Sequence, residues 1–346
     1  MCQKEEMMSY IEIKDVKKTF EDGQQVLKGV SLAIEKGEFI TLLGSSGCGK
    51  TTLLRSIAGL TGVDSGRIYI DDTDVTNLSP RQRNLAMVFQ QHSLFPTMTV
   101  HDNIGFGLRF KKMDREEKEK KIQEALTLIE LEGFGKKYPS QLSGGEQQRV
   151  SLARGIVTDP KVLLLDEPFS AIDAKLRKAL QIRIKNIHTS LGITTIFVTH
   201  DQEEAMRMSD RIYLMNEGKI EQCGSPMDLY LKPQTAYAAG FIGHYNLFEG
   251  STWKVLSRTD ETAGYYAVRP ESICISGSPW EHTAGQMELK GTVQQIICQG
   301  NVIRYSVSVN GVTLDVDQLY EGQYQLEWGR NVFLRIAPED VICFHH

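Results

Sequence analysis

Residues 44–51 read Gly44-Ser45-Ser46-Gly47-Cys48-Gly49-Lys50-Thr51, which fits the phosphate-binding P-loop pattern G-x-x-x-x-G-K-[ST]. The apolar run 38–43 before it predicts a buried parallel strand, and residues 51–58 after it predict a helix that stops at Gly59. Glycines let the backbone fold around an anion with its N–H groups pointing inward, and the helix start adds the positive end of a dipole. The motif therefore predicts an α/β P-loop fold and argues against a dinucleotide fold, whose pattern is G-x-G-x-x-G.

The side chains of the P-loop have distinct expected roles. Lys50 supplies a full positive charge for the outer phosphates, and the hydroxyl of Thr51 is placed to ligate Mg²⁺. Cys48 lies at a helix N-terminus, where a thiol can become acidic and reactive, but a small residue that fits the turn explains it as well. The residues expected to contact phosphate here are Gly44, Ser45, Ser46, Gly47, Cys48, Gly49, Lys50, Thr51 and Thr52.

Composition limits the protein classes. The chain has 346 residues, enough for two domains, with 41% hydrophobic and 24% charged residues. Its 39 basic and 44 acidic residues give a net charge of −5, so no global basic field points to nucleic acid. No apolar run approaches the length needed to cross a bilayer. The 6 cysteines form no C-x-x-C pair, and we expect reduced thiols and not disulfides or a zinc site.

Three further apolar runs, predicted as buried strands, end in polar residues. They lead into Gln90, into Asp166 followed by Glu167, and into His200. Carboxyl ends of parallel strands meet at the edge where α/β sheets bind ligands. There Asp166 is expected to hold Mg²⁺, mainly through water, and Glu167 to polarise an attacking water. A lone histidine at a strand end is usually structural, but this convergence favours a functional role for His200.

Two other features point to a nucleotide. Ser143 and two glycines stand directly before a predicted helix that runs to about Val157, which makes a second N-terminus suited to anionic oxygen. Phe20 precedes the P-loop by about one pair of strands, and an aromatic ring there can stack on a purine. Taken alone, such a residue more often belongs to the core.

In this order and spacing the motifs resemble those of the ATP-binding cassette (ABC) ATPases. The resemblance rests on the P-loop, Gln90, the signature 142–146, the pair Asp166-Glu167, the segment 170–173 and His200. Glu146 stands where glutamine is commoner, Ile172 where leucine is commoner, and Phe20 where tyrosine is often found. None of these departures removes a group that does chemistry.

The resemblance implies a head-to-tail homodimer with ATP and Mg²⁺ as bound groups. ATP on one P-loop would be capped by Ser143, Gly144 and Gly145 of the other copy, with Asp173 nearby and Phe20 on the adenine. Thr51, Asp166 and Gln90 would hold Mg²⁺. The catalytic residues would be Glu167, which orients the water, and His200, which contacts the γ-phosphate.

The cassette is expected to cover residues 1–235. Predicted hairpin strands around the P-loop indicate an antiparallel β subdomain, and helical periodicity places an α-helical subdomain at about 91–160. The remaining residues, 236–346, read as an all-β, OB-like barrel, because alternating strands flank the hairpin turn Asn310-Gly311.

The C-terminal region resembles the TOBE-type domain of importer ATPases for sugars, polyamines, ferric iron and sulfate. The resemblance rests on Val268-Arg269-Pro270-Glu271, and the segments 241–243 and 246–248 look most like the polyamine and ferric-iron branches. Two roles stay open for this region, stabilising the dimer and sensing a small molecule.

These resemblances imply that the chain is the ATP-hydrolysing motor of an importer at the cytoplasmic face of the membrane. Expected partners are permease subunits, which receive the face from Gln90 to Met98, and through them an extracytoplasmic solute-binding protein. No nucleic-acid partner is expected. The expected solute is a polyamine, and the alternatives are ferric iron, a sugar or another solute. Readings of another class are a soluble ABC protein, which would carry two cassettes or long insertions, and a module that senses oxyanions.

Overall fold

A computed structural model gives the fold. It describes residues 9–90, 94–169, 174–257, 263–280, 285–320 and 326–345, without the side chain of Leu176. The chain forms two compact units, Met1–Met227 and Asp228–His346. Our boundary between residues 235 and 236 stays a prediction, and Asp173 lies outside the described residues.

The first unit alternates strands and helices. Its strands are β1 (Ile11–Thr19), β2 (Gln25–Ile34), β3 (Phe39–Gly44), β4 (Ser65–Ile70), β5 (Thr73–Asp74), β6 (Leu85–Val88), β7 (Val162–Asp166), β8 (Thr194–Thr199), β9 (Arg211–Asn216) and β10 (Lys219–Gly224). Its helices are α1 (Lys50–Ala58), α2 (Val100–Gly105), α3 (Arg115–Leu128), α4 (Gly144–Ile156), α5 (Ala174–Leu191) and α6 (Gln202–Met208), and α7 (Pro226–Leu231) spans the division between the units.

The central sheet has the strand order β10-β9-β3-β8-β7-β6. Strand β3 pairs in parallel with β8 and β9, and β7 pairs in parallel with β6 and β8. Every residue of β3, β7 and β8 is buried, as their mainly apolar and β-branched sequences predict for a sheet covered on both faces. The pairs Leu43 with Thr199 and Asp166 with Val198 bring the ends of these strands to one edge.

The predicted antiparallel sheet is also present, with the order β2-β1-β4-β5. It shares a buried cluster with the P-loop helix and the central sheet, in which Ile11 and Leu27 lie with Leu42, Leu53 and Val198. Helices α2, α3 and α4 surround a separate core. The signature segment therefore lies on a helical layer, away from the strand that carries the P-loop.

Arg83 fixes the far end of the P-loop helix. Its Nη1 donates to the carbonyls of Ser56 and Ile57 at 2.7 and 2.9 Å, at the end of α1. Its Nε and Nη2 donate to the carbonyls of Leu78 and Thr76 at 2.9 and 3.0 Å. The side chain is buried, and this burial lowers the pKa of its guanidinium. Arg83 thus satisfies four carbonyls that no apolar side chain can satisfy.

We expect Arg83→Met to lower the free energy of unfolding of the cassette by about 3 kcal/mol, because it leaves several buried carbonyls without donors. The measurement is urea denaturation of the full chain. Arg81→Met, at an exposed arginine two residues earlier, is the control and should stay within about 0.5 kcal/mol of the native value. Equal shifts for the two variants would contradict this role.

The second unit is built mainly from strands. They are β11 (Asn246–Glu249), β12 (Tyr265–Val268), β13 (Cys274–Ser276), β14 (Met287–Gln299), β15 (Val302–Val309), β16 (Val312–Leu319), β17 (Asn331–Ile336) and β18 (Val341–Phe344). They form one sheet ordered β11-β12-β18 and a second ordered β13-β17-β14-β15-β16. The Asn310-Gly311 hairpin is confirmed, with Val309 paired to Val312 and Ile303, Tyr305, Val307 and Val309 buried on one face.

Two features of this unit differ from the sequence-based expectation. The strand-like sequence of residues 266–273 predicts one strand over that whole segment, but β12 stops at Val268, because Pro270 begins a 3-10 turn and cannot donate to the ladder. Two helices, α8 (Ala236–Ile242) and α9 (Gly250–Ser257), were not anticipated. Helix α9 buries Trp253 against Tyr266, with ring centroids 4.9 Å apart. Among the described residues, no helix is long and apolar enough to cross a membrane.

Candidate active site

The P-loop wraps tightly because its backbone passes close to neighbouring strands. Gly49 precedes α1 with a φ of 105°, in the region that favours glycine. A Cβ on Gly44 would lie 2.3 Å from the carbonyl oxygen of Met215, and one on Gly49 would lie 2.9 Å from that of Val26. Both glycines are therefore required by space. Ser45, Ser46 and Gly47 form the exposed crest of the loop, and Cys48 is buried beneath it.

Lys50 folds back over this loop. Its Nζ donates to the carbonyl oxygens of Gly44 and Ser45 at 2.9 and 2.7 Å, and lies 3.7 Å from the Sγ of Cys48. Only 4% of the residue is exposed. The ammonium group is thus held at the mouth of the P-loop, beside the first N–H groups of α1. This arrangement suits the binding of a polyphosphate.

Thr51 and Asp166 form the oxygen pair that the sequence predicts. The Thr51 hydroxyl donates to Oδ1 of Asp166 at 3.0 Å. Burial raises the pKa of the Asp166 carboxyl, and the hydrogen bond from Thr51 opposes that shift. A hydroxyl and a carboxylate suit Mg²⁺, which takes few protein ligands and completes its shell with water and phosphate oxygens. The residues present therefore fit the metal, and the described residues hold no cluster of three or more histidine, cysteine or acidic side chains that competes with this pair.

Glu167 is held between two of the other predicted residues. Nε2 of Gln90 donates to its Oε2 at 3.2 Å, and Nδ1 of His200 lies 3.3 Å from its Oε1. Its backbone has a φ of 43°, a left-handed conformation that is uncommon for a residue other than glycine. The Glu167 N–H donates to the carbonyl of Val198 at 3.0 Å, and this bond to β8 fixes the unusual turn. The three strand ends thus place Gln90, Glu167 and His200 in contact.

The signature segment forms a capped helix start. Ser143 is the N-cap of α4, and its hydroxyl accepts from the Glu146 N–H at 3.4 Å. Oε2 of Glu146 accepts from the Ser143 N–H at 2.7 Å and from its hydroxyl at 2.8 Å. The backbone hydrogen bond from Ser143 is the main reason why the pKa of Glu146 is lowered. Among the described residues, no hydrogen bond links Ser143, Gly144 or Gly145 to the P-loop of the same chain.

The remaining predicted residues are also located. The Phe20 ring is exposed just after β1, and Nζ of Lys18 lies over one of its faces, 5.8 Å from the centroid. Thr52 is half-buried in the first turn of α1. Sequence reasoning missed Glu204, a buried carboxylate behind His200 that accepts from the Thr199 hydroxyl at 2.6 Å. The only signal in the sequence is an acidic residue four positions after the histidine, on the buried face of a short helix.

Comparisons with known proteins agree with this geometry. The family model described as ABC transporter matches residues 27–170, and the one described as TOBE domain matches residues 266–344. The chain is 42% identical to the spermidine/putrescine import ATP-binding protein PotA of Thermotoga maritima, over 95% of this chain and 96% of that protein. It is 42% identical to the protein of the same name from Trichormus variabilis, over 89% of this chain and 86% of that one.

Solved structures give the same result for the cassette. One is the dimeric, post-hydrolysis state of the ATP-binding cassette MJ0796 bound to ADP and Pi, with a TM-score of 0.57 and 34% identity over 62% of this chain and 98% of that one. Another is cbiO1 from Clostridium perfringens, with a TM-score of 0.61 and 28% identity over 67% of this chain and 94% of that one. The chain therefore belongs to the ABC transporter family, as an ATP-hydrolysing importer subunit with a C-terminal TOBE domain.

Proposed function

We propose that the chain drives the import of a polyamine and cleaves ATP at the edge of the sheet where β3, β6, β7 and β8 end. The observation that carries the catalytic part is the position of Glu167, held between Gln90 and His200 beside the P-loop. The observation that supports the solute is the 42% identity to spermidine/putrescine import proteins, which extends over both units of the chain.

The ground-state contacts follow from the arrangement of the P-loop. Lys50 moves its ammonium from the carbonyls of Gly44 and Ser45 to the β- and γ-phosphates, while the loop N–H groups bind the same oxygens. Thr51, Asp166 and Gln90 would hold Mg²⁺. The metal, when bound, supplies positive charge that offsets the negative charge of the phosphates. The exposed face of Phe20 receives the adenine.

Glu167 and His200 are the proposed catalytic residues. The Glu167 carboxylate accepts a hydrogen bond from the attacking water, orients it in line with the bond that breaks and draws off its proton. The bond from Gln90 keeps that carboxylate pointed at the site. His200, whose ring is largely exposed, turns its free edge to the γ-phosphate. Both groups therefore act on the same phosphorus from one edge of the sheet.

A second copy of the chain completes the site. The N-terminus of α4 exposes Ser143 and Gly144, with Gly145 buried directly behind them, and its N–H groups suit a phosphate oxygen. Because no described hydrogen bond joins this segment to its own P-loop, we infer that it caps ATP bound to a partner copy, head to tail. Asp173 belongs to the same proposed interface. The dimeric state of the related MJ0796 cassette supports this assembly.

Membrane subunits are the other proposed partners. The Phe95 ring packs against Phe106 in a tilted arrangement, with centroids 4.5 Å apart, and the guanidinium of Arg154 lies over Phe95. Phe110, which packs against Phe106, is largely exposed. This aromatic face follows directly from the strand that ends near Gln90. We infer that this aromatic face receives a helix from a permease at the cytoplasmic face of the membrane. Docking would then affect Gln90, which donates a hydrogen bond to Glu167. An extracytoplasmic binding protein would deliver the solute to that permease.

The solute is tested with the complete importer, reconstituted in liposomes from this chain, its permease subunits and its binding protein. We expect spermidine or putrescine, added with the binding protein, to raise ATP hydrolysis and to enter the vesicles. Ferric iron and a disaccharide serve as competing solutes. Stimulation by one of these and not by either polyamine would contradict the proposed solute and leave the ATPase assignment intact.

A further inference from the structure

The short segment that carries His200 is held from behind by buried polar groups. The Thr199 hydroxyl donates to Oε2 of Glu204 at 2.6 Å and accepts from the Asp201 N–H at 3.0 Å. A hydroxyl has one donor and two acceptor sites, so Thr199 uses both kinds of site here. Thr199 and Glu204 are only 2% and 5% exposed. The Thr199 hydroxyl therefore links the two residues that flank His200, Thr199 and Asp201, to each other and to Glu204.

The same group of residues is linked to helix α5. Asp201 caps α6 by accepting from the Glu204 N–H at 3.1 Å, and its other oxygen lies 3.5 Å from Nη1 of Arg177. Nε of Arg177 lies 3.9 Å from Oε1 of Glu204. Both carboxylates thus face one guanidinium, which stands in the first turns of α5. A cavity of about 70 Å³ lies between this cluster and the pair formed by Glu167 and His200.

Burying the Glu204 carboxylate costs free energy, which indicates that this side chain has a specific structural role. Burial raises the pKa of the Glu204 carboxyl, and the Thr199 hydrogen bond opposes that shift. A buried carboxylate that only packed the helix would be replaced at little cost by an apolar side chain. Here Oε2 of Glu204 accepts from the hydroxyl of Thr199, which precedes His200, and Oε1 faces the guanidinium of Arg177 on α5. The His200 backbone is thereby fixed while its ring stays exposed to the site.

We propose that Thr199 and Glu204 are positioning residues for ATP hydrolysis, because their hydrogen bond holds the His200 backbone at the distance where the ring meets Glu167 and the γ-phosphate. The inference rests on the role proposed above for His200. Neither residue touches the nucleotide, so both act on the chemical step through the histidine. The loss of the hydroxyl should therefore lower kcat and leave KM for ATP almost unchanged.

The test uses four side chains at position 199 in the full-length protein. Threonine and Thr199→Ser keep the hydroxyl, whereas Thr199→Val and Thr199→Ala lack it, and each hydroxyl-bearing side chain has a hydroxyl-free partner of nearly the same shape. We expect kcat to fall about 10- to 100-fold in Thr199→Val and Thr199→Ala, with KM within about 3-fold of the native value. Thr199→Ser should keep kcat within about 3-fold. If one hydroxyl-free variant does not fold, the remaining pair still decides.

Thr195→Val is the matched control. Thr195 is a buried threonine on the same strand, four residues before Thr199, and its hydroxyl forms a hydrogen bond with Nδ1 of His188 at 3.0 Å. Thr195→Val should keep kcat within about 2-fold of the native value, with a melting temperature comparable to that of Thr199→Val. Rates that follow side-chain volume and not the hydroxyl, or an equal loss in Thr195→Val, would overturn the proposal.

His200→Ala separates this inference from the proposed function. If His200→Ala is slow and Thr199→Val turns over at the native rate, the positioning role is wrong and the catalytic role of His200 stands. If His200→Ala itself turns over at the native rate, the proposed role of His200 fails, and the positioning role fails with it.

Discussion

Glu167→Gln is expected to slow ATP turnover by about 10²–10⁴-fold while ATP binding is preserved. The substitution keeps the length and shape of the side chain, and its amide oxygen still accepts from Nε2 of Gln90, which lies 3.2 Å from the native carboxylate. The amide cannot take a proton from water. The P-loop contacts of Lys50 do not involve this side chain, so the ground-state complex should form normally.

The measurement is phosphate release under saturating ATP, together with equilibrium binding of ATP to the same preparations. Glu203→Gln is the matched control, because Glu203 carries the same side chain, 84% exposed, on the helix that follows His200. It should turn over at the native rate. Native turnover in Glu167→Gln would remove Glu167 from the catalytic role, and a loss of ATP binding in that variant would show that its effect is not on the chemical step.

Much of the central sheet was predictable because its sequence signals are local. The apolar run before Gly44 and the run before Asp166 are long enough for a strand, and the glycines and polar residues after them mark where each strand ends. Parallel pairing then requires these ends to lie at one edge. That reasoning correctly brought Asp166 and His200 to the side of the sheet that carries the P-loop.

Other features depend on contacts between residues that are far apart in sequence. The left-handed backbone of Glu167 is stabilised by a hydrogen bond to Val198 on the neighbouring strand, and nothing around residue 167 predicts it. Arg83 caps a helix that ended 25 residues earlier, so its role appears only when both segments are folded. Glu204 is similar, since an acidic residue in a short helix is usually exposed. A buried polar group is therefore the part of a site that a single sequence reveals least.

ATP is expected to lower the dimer dissociation constant of the Glu167→Gln chain by about 100-fold or more, because each nucleotide would be bound by both copies. Two positive helix ends, α1 of one copy and α4 of the other, would meet over one triphosphate. Without the nucleotide, their N–H groups would lose water and gain no partner. Sedimentation over a range of protein concentrations, with and without ATP in the presence of Mg²⁺, measures the shift.

Substitutions at Ser143 test whether the start of α4 lies at the nucleotide of the partner copy. Aspartate and asparagine cap helices about as well as serine does. Both variants also carry Glu146→Gln, because Oε2 of Glu146 accepts from the Ser143 hydroxyl at 2.8 Å and would repel an aspartate at position 143. With that change, Ser143→Asp and Ser143→Asn should both keep α4 intact. Only Ser143→Asp places a negative charge where the γ-phosphate of the partner copy would lie, and like charges brought together in an interface cost several kcal/mol. In the Glu167→Gln background, Ser143→Asp should therefore lose most of the ATP-dependent association, whereas Ser143→Asn should keep most of it.

Two outcomes would contradict the composite site. One is a dissociation constant that ATP does not change, which would mean that the nucleotide lies on one copy alone. The other is equal association in Ser143→Asp and Ser143→Asn, which would place the start of α4 away from the phosphates. ATP affinity measured on dilute, monomeric protein separates the binding of ATP to one copy from the ATP-dependent association of two copies. It should be the same in both Ser143 variants, because this residue makes no described contact with the P-loop of its own chain.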